Sequence, residues 1–295
     1  MEQRVIAIVG QTATGKSQLG IVLAKKFHGS IVSADSRQVY RGLDIGSGKV
    51  STREQRTVPH ELLDVANPRR VFTVAQYVRA ARKSISNILQ QGRMPIVVGG
   101  TGFWIDTLLN GMRIPKVPPN PLLRKKLAKQ KISVLFARLQ RLDPQRAINI
   151  DRHNPVRIIR ALEIILTTNK PVPTLASNST YDVLWLGLRL PVQKLRTLIR
   201  ARLKRRLRAG LVAEVRGLIQ RGVPAQRLLD LGLEYRYVTR FLQHDLTRKE
   251  MLTQLETAIT QYAKRQRTWF SRNKKIHWVT STQQAAALTK KFLQA

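Results

Sequence analysis

Eight residues near the amino end constrain the fold of this chain more than any other segment. They are Gly10, Gln11, Thr12, Ala13, Thr14, Gly15, Lys16 and Ser17. An apolar run at residues 5–9 precedes them, and a helical pattern follows from residue 19. A strand, a glycine turn, Lys-Ser and a helix are the context that a phosphate-binding P-loop needs. A chance glycine-rich turn is the alternative, but the complete pattern with both flanks favours the P-loop.

The residue types of this loop explain how it would bind an anion. Glycines let consecutive backbone N–H groups point inward, and the N-terminus of the following helix adds partial positive charge. Lys16 supplies a mobile cation for phosphate oxygens, and the Ser17 hydroxyl can hold a divalent ion. We therefore expect residues 10–17 to bind a di- or triphosphate.

Cysteine usage and hydropathy limit the compartment. The 295 residues include no Cys, so disulfides and thiolate metal sites are excluded. The sequence has no apolar run long enough to span a bilayer, and it enters a strand directly, without a visible signal peptide. We expect a cytoplasmic protein with no membrane partner.

The charge balance points to a polyanionic partner. The chain has 53 Lys and Arg against 17 Asp and Glu, a formal net charge of +36. Such a surface attracts nucleic acid and speeds encounter with it. A generally basic proteome or a solubility device is the alternative, and charge by itself does not exclude either.

Apolar runs and helical patterns predict an α/β fold, a P-loop NTPase-like parallel sheet flanked by helices. Residues 30–34 form a strand that runs into Asp35, and residues 62–65 are a candidate third strand. Ligands gather at the carboxyl ends of parallel strands, so we expect Asp35 near the phosphate loop. Asp is also common as a helix N-cap or turn residue, which is the alternative.

The strand predicted at residues 95–98 ends in a glycine turn that contains Thr101. P-loop ATPases usually have an acidic residue at the end of such a strand, to manage magnesium and water. A hydroxyl takes that place here, although Asp35 or Asp64 can substitute. The pattern therefore lowers the expectation of a nucleotide-hydrolysing motor.

A change in composition separates two regions. Prolines at 115, 118, 119 and 121 mark a break, after which the chain reads as mostly helical and basic to about residue 170. We expect an inserted, mostly helical subdomain at residues 113–180, between the two parts of a core domain at residues 1–112 and 181–295. A polar linker is expected at residues 173–182.

Two later helices combine basic and apolar residues. Residues 195–207 form an amphipathic helix whose basic face includes Arg202, Arg205 and Arg206, and we favour phosphate-backbone contact for it over a solvated or membrane-surface face. Residues 256–270 interleave Tyr262 and Trp269 with Lys and Arg. These rings suit stacking on bases, and core packing explains them equally well.

Five motifs together identify a family that the chain resembles. In order they are GQTATGKS (10–17), SADSRQVYRGLDIG (33–46), VGGTG (98–102), RIIRALE (157–163) and AKRQRTWF (263–270). The chain closely resembles the tRNA dimethylallyltransferases, also called tRNA isopentenyltransferases, over nearly its whole length. The second and last motifs are far more specific than the P-loop.

The resemblance implies transfer of a dimethylallyl group from dimethylallyl diphosphate to N6 of adenosine 37 in tRNA, with Mg²⁺ and release of diphosphate. It implies that residues 10–17 hold the diphosphate, that Ser17 holds the metal and that Lys16 and Thr101 take part in catalysis. Asp35 would be the base. The anticodon stem-loop would meet the inserted helices, and we expect a monomer. The residues that the resemblance assigns to tRNA binding are Asp35, Ser36, Arg37, Gln38, Thr101, Arg124, Arg157 and Arg160.

The chemistry of the residues agrees with this reaction. The exocyclic amine of adenine is a weak nucleophile, and a carboxylate such as Asp35 can take its proton. Water would trap an allylic cation, so the site must close, and the loop at 42–48 with Phe103 or Trp104 is a candidate cover.

The chain departs from the family pattern in two places. The family usually has Gly-Tyr-Lys or Gly-Tyr-Arg where residues 232–236 read Gly-Leu-Glu-Tyr-Arg, and the aspartate of its His-Pro-Asn-Asp turn is missing at residues 153–155. Three rival functions stay open: a prenyltransferase that acts on free AMP, ADP or ATP, a P-loop kinase or ATPase that acts on nucleic acid, and a non-enzymatic RNA-binding module.

Overall fold

The computed structural model describes residues 3–112, 114–173 and 179–294. The strands are β1 Gln3–Gly10, β2 Gly29–Ala34, β3 His60–Glu61, β4 Met94–Gly99, β5 Tyr181–Leu188 and β6 His277–Val279. The helices are α1 Lys16–Lys26, α2 Thr52–Thr57, α3 Val74–Gln90, α4 Gly102–Leu109, α5 Pro121–Ala128, α6 Ile132–Leu142, α7 Pro144–Asn149, α8 Pro155–Thr168, α9 Val192–Arg208, α10 Leu211–Gln220, α11 Ala225–Leu231, α12 Leu233–Leu242, α13 Arg248–Phe270 and α14 Thr282–Gln294. Within these ranges, no helix combines the length and the hydropathy that a membrane crossing requires.

The chain divides into two compact units, Met1–Gly111 with Ser179–Ala295, and Met112–Asn178. The boundaries expected at residues 113 and 180 stay a prediction. Residue 113 and residues 174–178, which include part of the expected linker, lie outside the described residues.

The first unit is built on a parallel sheet in the order β3-β2-β4-β1-β5-β6, counted over the described strands. Every strand pairing in it is parallel, and β1 lies between β4 and β5. The predicted P-loop NTPase-like α/β fold is therefore confirmed. Because β1, β2 and β4 are neighbours, their carboxyl ends bring three separate sequence segments to one edge of the sheet.

Both faces of the sheet are covered, which explains the continuous apolar runs in its strands. Val5, Ala7 and Val9 of β1 pack into one hydrophobic cluster with α3 and α4. The alternate residues Ile6 and Ile8 pack into a second cluster with α1 and α14. The period-two alternation of a strand thus supplies both layers of the core.

The third strand expected at residues 62–65 is wrong. The strand in that region is β3, which has two residues and ends before Leu62. Leu62 has φ 64° and Asp64 has φ 58°, so both residues are in the left-handed region, which an extended strand excludes. The apolar pair at 62 and 63 lies in a turn that follows the strand.

The second unit contains α5, α6, α7 and α8, which confirms the expected mostly helical insertion. Asn120 caps α5 and Asn154 caps α8, each with a proline in the first turn of the helix. A cluster of buried apolar side chains from all four helices forms its core, including Leu127, Leu139 and Ile158. The unit therefore has its own hydrophobic core.

Candidate active site

A large cleft lies in the first unit, at the edge of the sheet where β1, β2 and β4 end. Its volume is about 1620 Å³, above the range of roughly 300–1,000 Å³ that is usual for one small ligand. The P-loop after β1, residues 35–38 after β2 and Thr101 after β4 all line it. The structure thus brings together the predicted phosphate loop, the predicted base and the predicted threonine.

The P-loop wraps around the amino end of α1. Gly15 is the residue before the helix, and Lys16 is its first residue. The Lys16 Nζ donates a hydrogen bond to the Gln11 carbonyl at 2.5 Å, and the Thr14 hydroxyl donates to the same oxygen at 2.8 Å. The Lys16 side chain is therefore folded back over the P-loop, where we expect the phosphate to bind.

The protonation state of Lys16 is sensitive to the binding of an anion. Burial and, to a smaller extent, charge repulsion from Arg202 lower the pKa of Lys16 to about 7, and the charge of Asp35 opposes the shift. An anion bound at the loop would restore the ammonium form. These interactions also show that Lys16, Arg202 and Asp35 lie close enough to act on one another.

Residues 35–38 form a tight turn at the end of β2. The Asp35 Oδ1 accepts a hydrogen bond from the Arg37 backbone N–H at 2.8 Å, which orients the carboxylate. The Gln38 side chain accepts from the Ser33 hydroxyl at 3.0 Å and donates to the Gly48 carbonyl at 3.3 Å. Asp35 therefore acts as a turn residue and also faces the cleft.

Helix α13 ties the loops of the cleft together. The Gln266 side chain accepts from the Thr12 N–H at 2.7 Å and donates to the Gly100 carbonyl at 2.9 Å, so it bridges the P-loop and the turn after β4. One turn earlier, the Tyr262 hydroxyl hydrogen-bonds the Thr101 side chain, and burial, with the charge of Asp35, raises the pKa of Tyr262 to about 12. Sequence reasoning assigned no role to Gln266, although it belongs to the specific motif at residues 263–270.

Aromatic residues follow the same helix face. The Trp269 Nε1 donates to Asp106 Oδ2 at 2.7 Å, and its ring meets Phe103 edge to face with centroids 6.4 Å apart. Phe103 and Trp269 line the cleft. Trp104 instead is buried and stacks on Tyr77 in the core, so it is not a candidate cover.

The basic face of α9 has partners that the sequence did not reveal. Arg202 Nη1 donates to the Thr12 hydroxyl at 3.1 Å, and Arg206 is buried in an ion pair with Glu234. Both guanidinium groups thus have a partner within the protein, and the phosphate-backbone contact expected for this helix stays a prediction. Arg205 is exposed and lines the cleft.

The loop at residues 42–48 is held by Glu214, a residue outside the motif at residues 33–46. The Glu214 carboxylate of α10 accepts from the backbone N–H groups of Asp44, Ile45 and Gly46, at 3.0, 2.6 and 3.1 Å. The Lys49 side chain lines the cleft but is only 4% exposed, and its ammonium pairs with Asp44 and with Asp64 at 2.6 Å. The loop is thus held in place along the cleft.

Three arginines assigned to tRNA lie in the second unit. Arg124 and Arg160 both pair with the buried Glu163, with nitrogen–oxygen distances of 2.7 and 2.5 Å. Burial would raise the pKa of Glu163, but hydrogen bonds from Arg124, the Asn120 N–H and Arg160 lower it to about 2. Arg157 is exposed. Two of the three thus have a structural partner, and their contact with tRNA stays a prediction.

The side chains present fit Mg²⁺ as a companion of a diphosphate. Ser17 lines the cleft and offers one hydroxyl. Over the part of the chain that the structure describes, no cluster of three or more His, Asp or Glu side chains is placed to hold a metal. Mg²⁺ usually keeps several waters and takes substrate phosphate oxygens as ligands, so a single protein hydroxyl suits it.

Comparison with known proteins gives consistent matches. The family model described as IPP transferase matches residues 38–274. A tRNA dimethylallyltransferase of Thermomicrobium roseum is 41% identical over 285 residues, which cover 95% of this chain and 87% of that one. A tRNA dimethylallyltransferase of Acaryochloris marina is 40% identical and covers 96% of this chain and 94% of its own.

Two solved structures share the fold along the chain. The full-length tRNA isopentenylpyrophosphate transferase of Bacillus halodurans has a TM-score of 0.74 at 30% identity, covering 99% of this chain and 96% of that one. A eukaryotic dimethylallyltransferase acting on tRNA has a TM-score of 0.81 at 25% identity and covers 99% and 80%. The similarity therefore extends over both units of the chain.

Proposed function

This chain belongs to the IPP transferase family, and from that premise we propose that it transfers a dimethylallyl group from dimethylallyl diphosphate to tRNA. The acceptor atom is N6 of adenosine 37 in the anticodon stem-loop, and diphosphate is released. The observation that carries the proposal is the single cleft that holds both the P-loop and Asp35. At this one site the P-loop can hold the leaving diphosphate, and the Asp35 carboxylate can act as the base.

The P-loop binds the diphosphate in this proposal. Backbone N–H groups of residues 10–17, the Lys16 ammonium and the Arg202 guanidinium surround the anion. When the carbon–oxygen bond breaks, its electron pair goes to the diphosphate, whose negative charge increases by one. Donors that are already in place stabilise this charge better than water, which must reorganise.

Asp35 accepts the proton that the acceptor amine loses. The lone pair of N6 forms the new carbon–nitrogen bond, and the N6 proton moves to the Asp35 carboxylate. Thr101 and Tyr262 lie beside this carboxylate and position the purine. The adenine must leave its stack in the tRNA to enter the cleft, which costs about a few kcal/mol. Contacts between the tRNA and this basic chain, of net charge +36, offset that cost.

Mg²⁺ is the metal that this proposal implies, with the Ser17 hydroxyl as its protein ligand. When it is bound with the diphosphate, it supplies positive charge to the leaving group. Phe103, Trp269 and the loop at residues 42–48 exclude water from the allylic carbon.

The remaining parts of the proposal concern tRNA and the cell. Arg37 at the cleft, and Arg124, Arg157 and Arg160 in the helical unit, contact the phosphates of the anticodon arm. The protein acts as a monomer in the cytoplasm. The contacts with tRNA phosphates agree with the polyanionic partner expected from the net charge of +36.

One set of incubations tests the proposal. Labelled dimethylallyl diphosphate is supplied with unmodified tRNA, with AMP, or alone, and ATP is supplied in a separate control. Label in tRNA is the expected result, and Asp35→Asn is the matched variant that should strongly slow its appearance. Label in AMP would select the prenyltransferase of free nucleotides, and phosphate release from ATP would select a kinase or ATPase. An absence of turnover would favour an RNA-binding module.

A further inference from the structure

Arg206 is a buried cation with an unused donor. Its side chain is only 10% exposed, and Nη1 donates to Glu234 in an ion pair. Its Nη2 is buried and has no hydrogen-bond partner among the described residues. An unpartnered donor on a buried guanidinium costs free energy of about 1–3 kcal/mol, so the arrangement favours a ligand that accepts its hydrogen bond.

The unused donor lies beside Gly48, a residue that lines the cleft together with the P-loop. A Cβ atom added to Gly48 would lie 2.1 Å from Arg206 Nη2 and 2.3 Å from Arg202 Nη2. The two guanidinium nitrogens therefore lie beside the same point, as expected for residues four apart on one face of α9. Arg202 is also bonded to Thr12 of the P-loop, so this point adjoins the phosphate loop.

The local charge balance also requires an anion. Burial, together with charge repulsion from Arg206, lowers the pKa of Arg202 to about 10. Glu234 and Asp35 are the acidic groups that oppose it. Arg202 thus lies near the cations Arg205 and Arg206, and one of the two carboxylates, Glu234, is already held in the Arg206 ion pair. A bound dianion or trianion would relieve the repulsion between the two guanidinium groups.

We propose that Arg206, together with Arg202, binds one phosphate group of the prenyl diphosphate through its free Nη2. This inference rests on the proposed function and adds a residue to the site. The guanidinium can donate to phosphate from Nη2 while Nη1 remains on Glu234, because its donors are fixed in one plane. Arg206 then stabilises the leaving diphosphate, and Glu234 positions Arg206.

Glu234 belongs to residues 232–236, the segment in which the chain departs from the family pattern. A carboxylate at that position would oppose a diphosphate if it were alone. Paired with Arg206, it instead fixes a cation supplied by the neighbouring helix. Gly48 gives the two guanidinium groups the space they occupy.

Calorimetric titration with inorganic diphosphate tests this site. Loss of Arg206 alone would leave Glu234 buried and unpaired, so the informative variant is Arg206→Met combined with Glu234→Gln, which removes both charges. We expect its diphosphate affinity to fall about tenfold or more. Glu234→Gln alone keeps the guanidinium and removes a negative charge, so we expect it to bind at least as tightly as the unsubstituted protein.

The outcomes separate the inference from the proposed function. If the double variant binds diphosphate within twofold of the unsubstituted protein, or if Glu234→Gln alone reproduces the loss, Arg206 is not a phosphate ligand. A fall in tRNA affinity without a fall in diphosphate affinity overturns the inference too, because it assigns the group to the tRNA backbone. If the unsubstituted protein neither binds diphosphate nor prenylates tRNA, the proposed function fails first.

A second variant displaces the two guanidinium groups sterically and leaves the charges of Arg206 and Glu234 intact. Gly48→Ala places a methyl group where the guanidinium groups lie, and we expect weaker diphosphate binding. Gly92→Ala is the matched control, because Gly92 has φ 66° against 65° for Gly48, and an added Cβ there would contact nothing within 4 Å. Both substitutions carry the strain of a left-handed backbone. Equal diphosphate affinity in the two variants would contradict the inference.

Discussion

The Thr101 hydroxyl accepts a hydrogen bond from the Ser36 backbone N–H at a distance of 3.0 Å. This contact joins the turn after β4 to the turn after β2, although 65 residues separate its partners. The Tyr262 hydroxyl meets the same threonine from α13. Thr101 thus connects the turn that contains Asp35 to the rest of the cleft.

Replacement of Thr101 tests this connection. Thr101→Val removes the acceptor at nearly constant volume, so the Asp35 turn loses its anchor, and we expect kcat to fall roughly 10- to 100-fold, the range in which positioning groups act. Thr101→Ser keeps the hydroxyl and should retain most of the turnover. Steady-state kinetics with tRNA as acceptor measure both variants, and equal loss in the two would show that the methyl group matters rather than the hydrogen bond.

Removal of the Asp35 carboxylate tests the base. In Asp35→Asn the amide oxygen can still accept from the Arg37 N–H, so the turn is preserved, but no group takes the N6 proton. We expect turnover to fall by about 10²–10⁴, the usual contribution of a general base, while tRNA affinity stays within a few-fold. Single-turnover kinetics and a filter-binding titration separate the two effects. Turnover equal to that of the unsubstituted protein would refute the assignment.

The Lys16 pKa of about 7 predicts a pH dependence of diphosphate binding. Below pH 7 the ammonium is present before the ligand binds. Above pH 7 the free protein carries mostly the neutral amine, so binding must take up a proton, and affinity should fall by up to about tenfold for each pH unit. Calorimetry at pH 6–9 in two buffers of different ionisation enthalpy measures the uptake. Lys16→Met should lose it, and identical heats in both buffers for the unsubstituted protein would contradict the prediction.

Gln266 predicts coupling between the P-loop and the turn after β4. Gln266→Met keeps the length of the side chain but removes the bridge from Thr12 to Gly100, so the P-loop loses a fixed N–H. We expect KM for dimethylallyl diphosphate to rise several-fold and stability to fall by about 1–3 kcal/mol, since buried polar groups lose their partners. Gln283→Met, on the exposed start of α14, is the control. The same change in both variants would exclude a specific role for the bridge.

Glu163 predicts an acid-sensitive contribution to stability. Its folded-state pKa of about 2 is below the ordinary value of 4.5 for a glutamate, so its stabilisation is present above pH 4.5 and is lost as the pH falls toward 2. Glu163→Gln should destabilise the protein by about 2–3 kcal/mol at pH 7, because two arginines lose a buried partner. Urea unfolding at pH 7 and pH 3 measures the difference, which should shrink at the lower pH. A difference that does not change with pH would assign the loss to packing.

Short-range patterns were sufficient for much of the fold and part of the site. The P-loop, the strand that leads into Asp35 and the glycine turn around Thr101 each depend on a few adjacent residues. Because parallel strands end at one edge, these three segments were expected to meet there. The apolar pair at residues 62 and 63 was misread because hydrophobicity does not encode the positive φ values of Leu62 and Asp64.

The sequence by itself determined the phosphate loop, the parallel sheet and the family, since these follow from local motifs and their order along the chain. Tertiary structure alone decided that Gln266 bridges Thr12 and Gly100, that Arg202 bonds Thr12 of the P-loop, and that Arg206 pairs with Glu234. Periodicity assigned those arginines to an outer basic face, because a charged residue on a helix looks the same whether it meets water or a buried carboxylate. Only the packing of distant segments supplies the partner that makes such a charge stable inside.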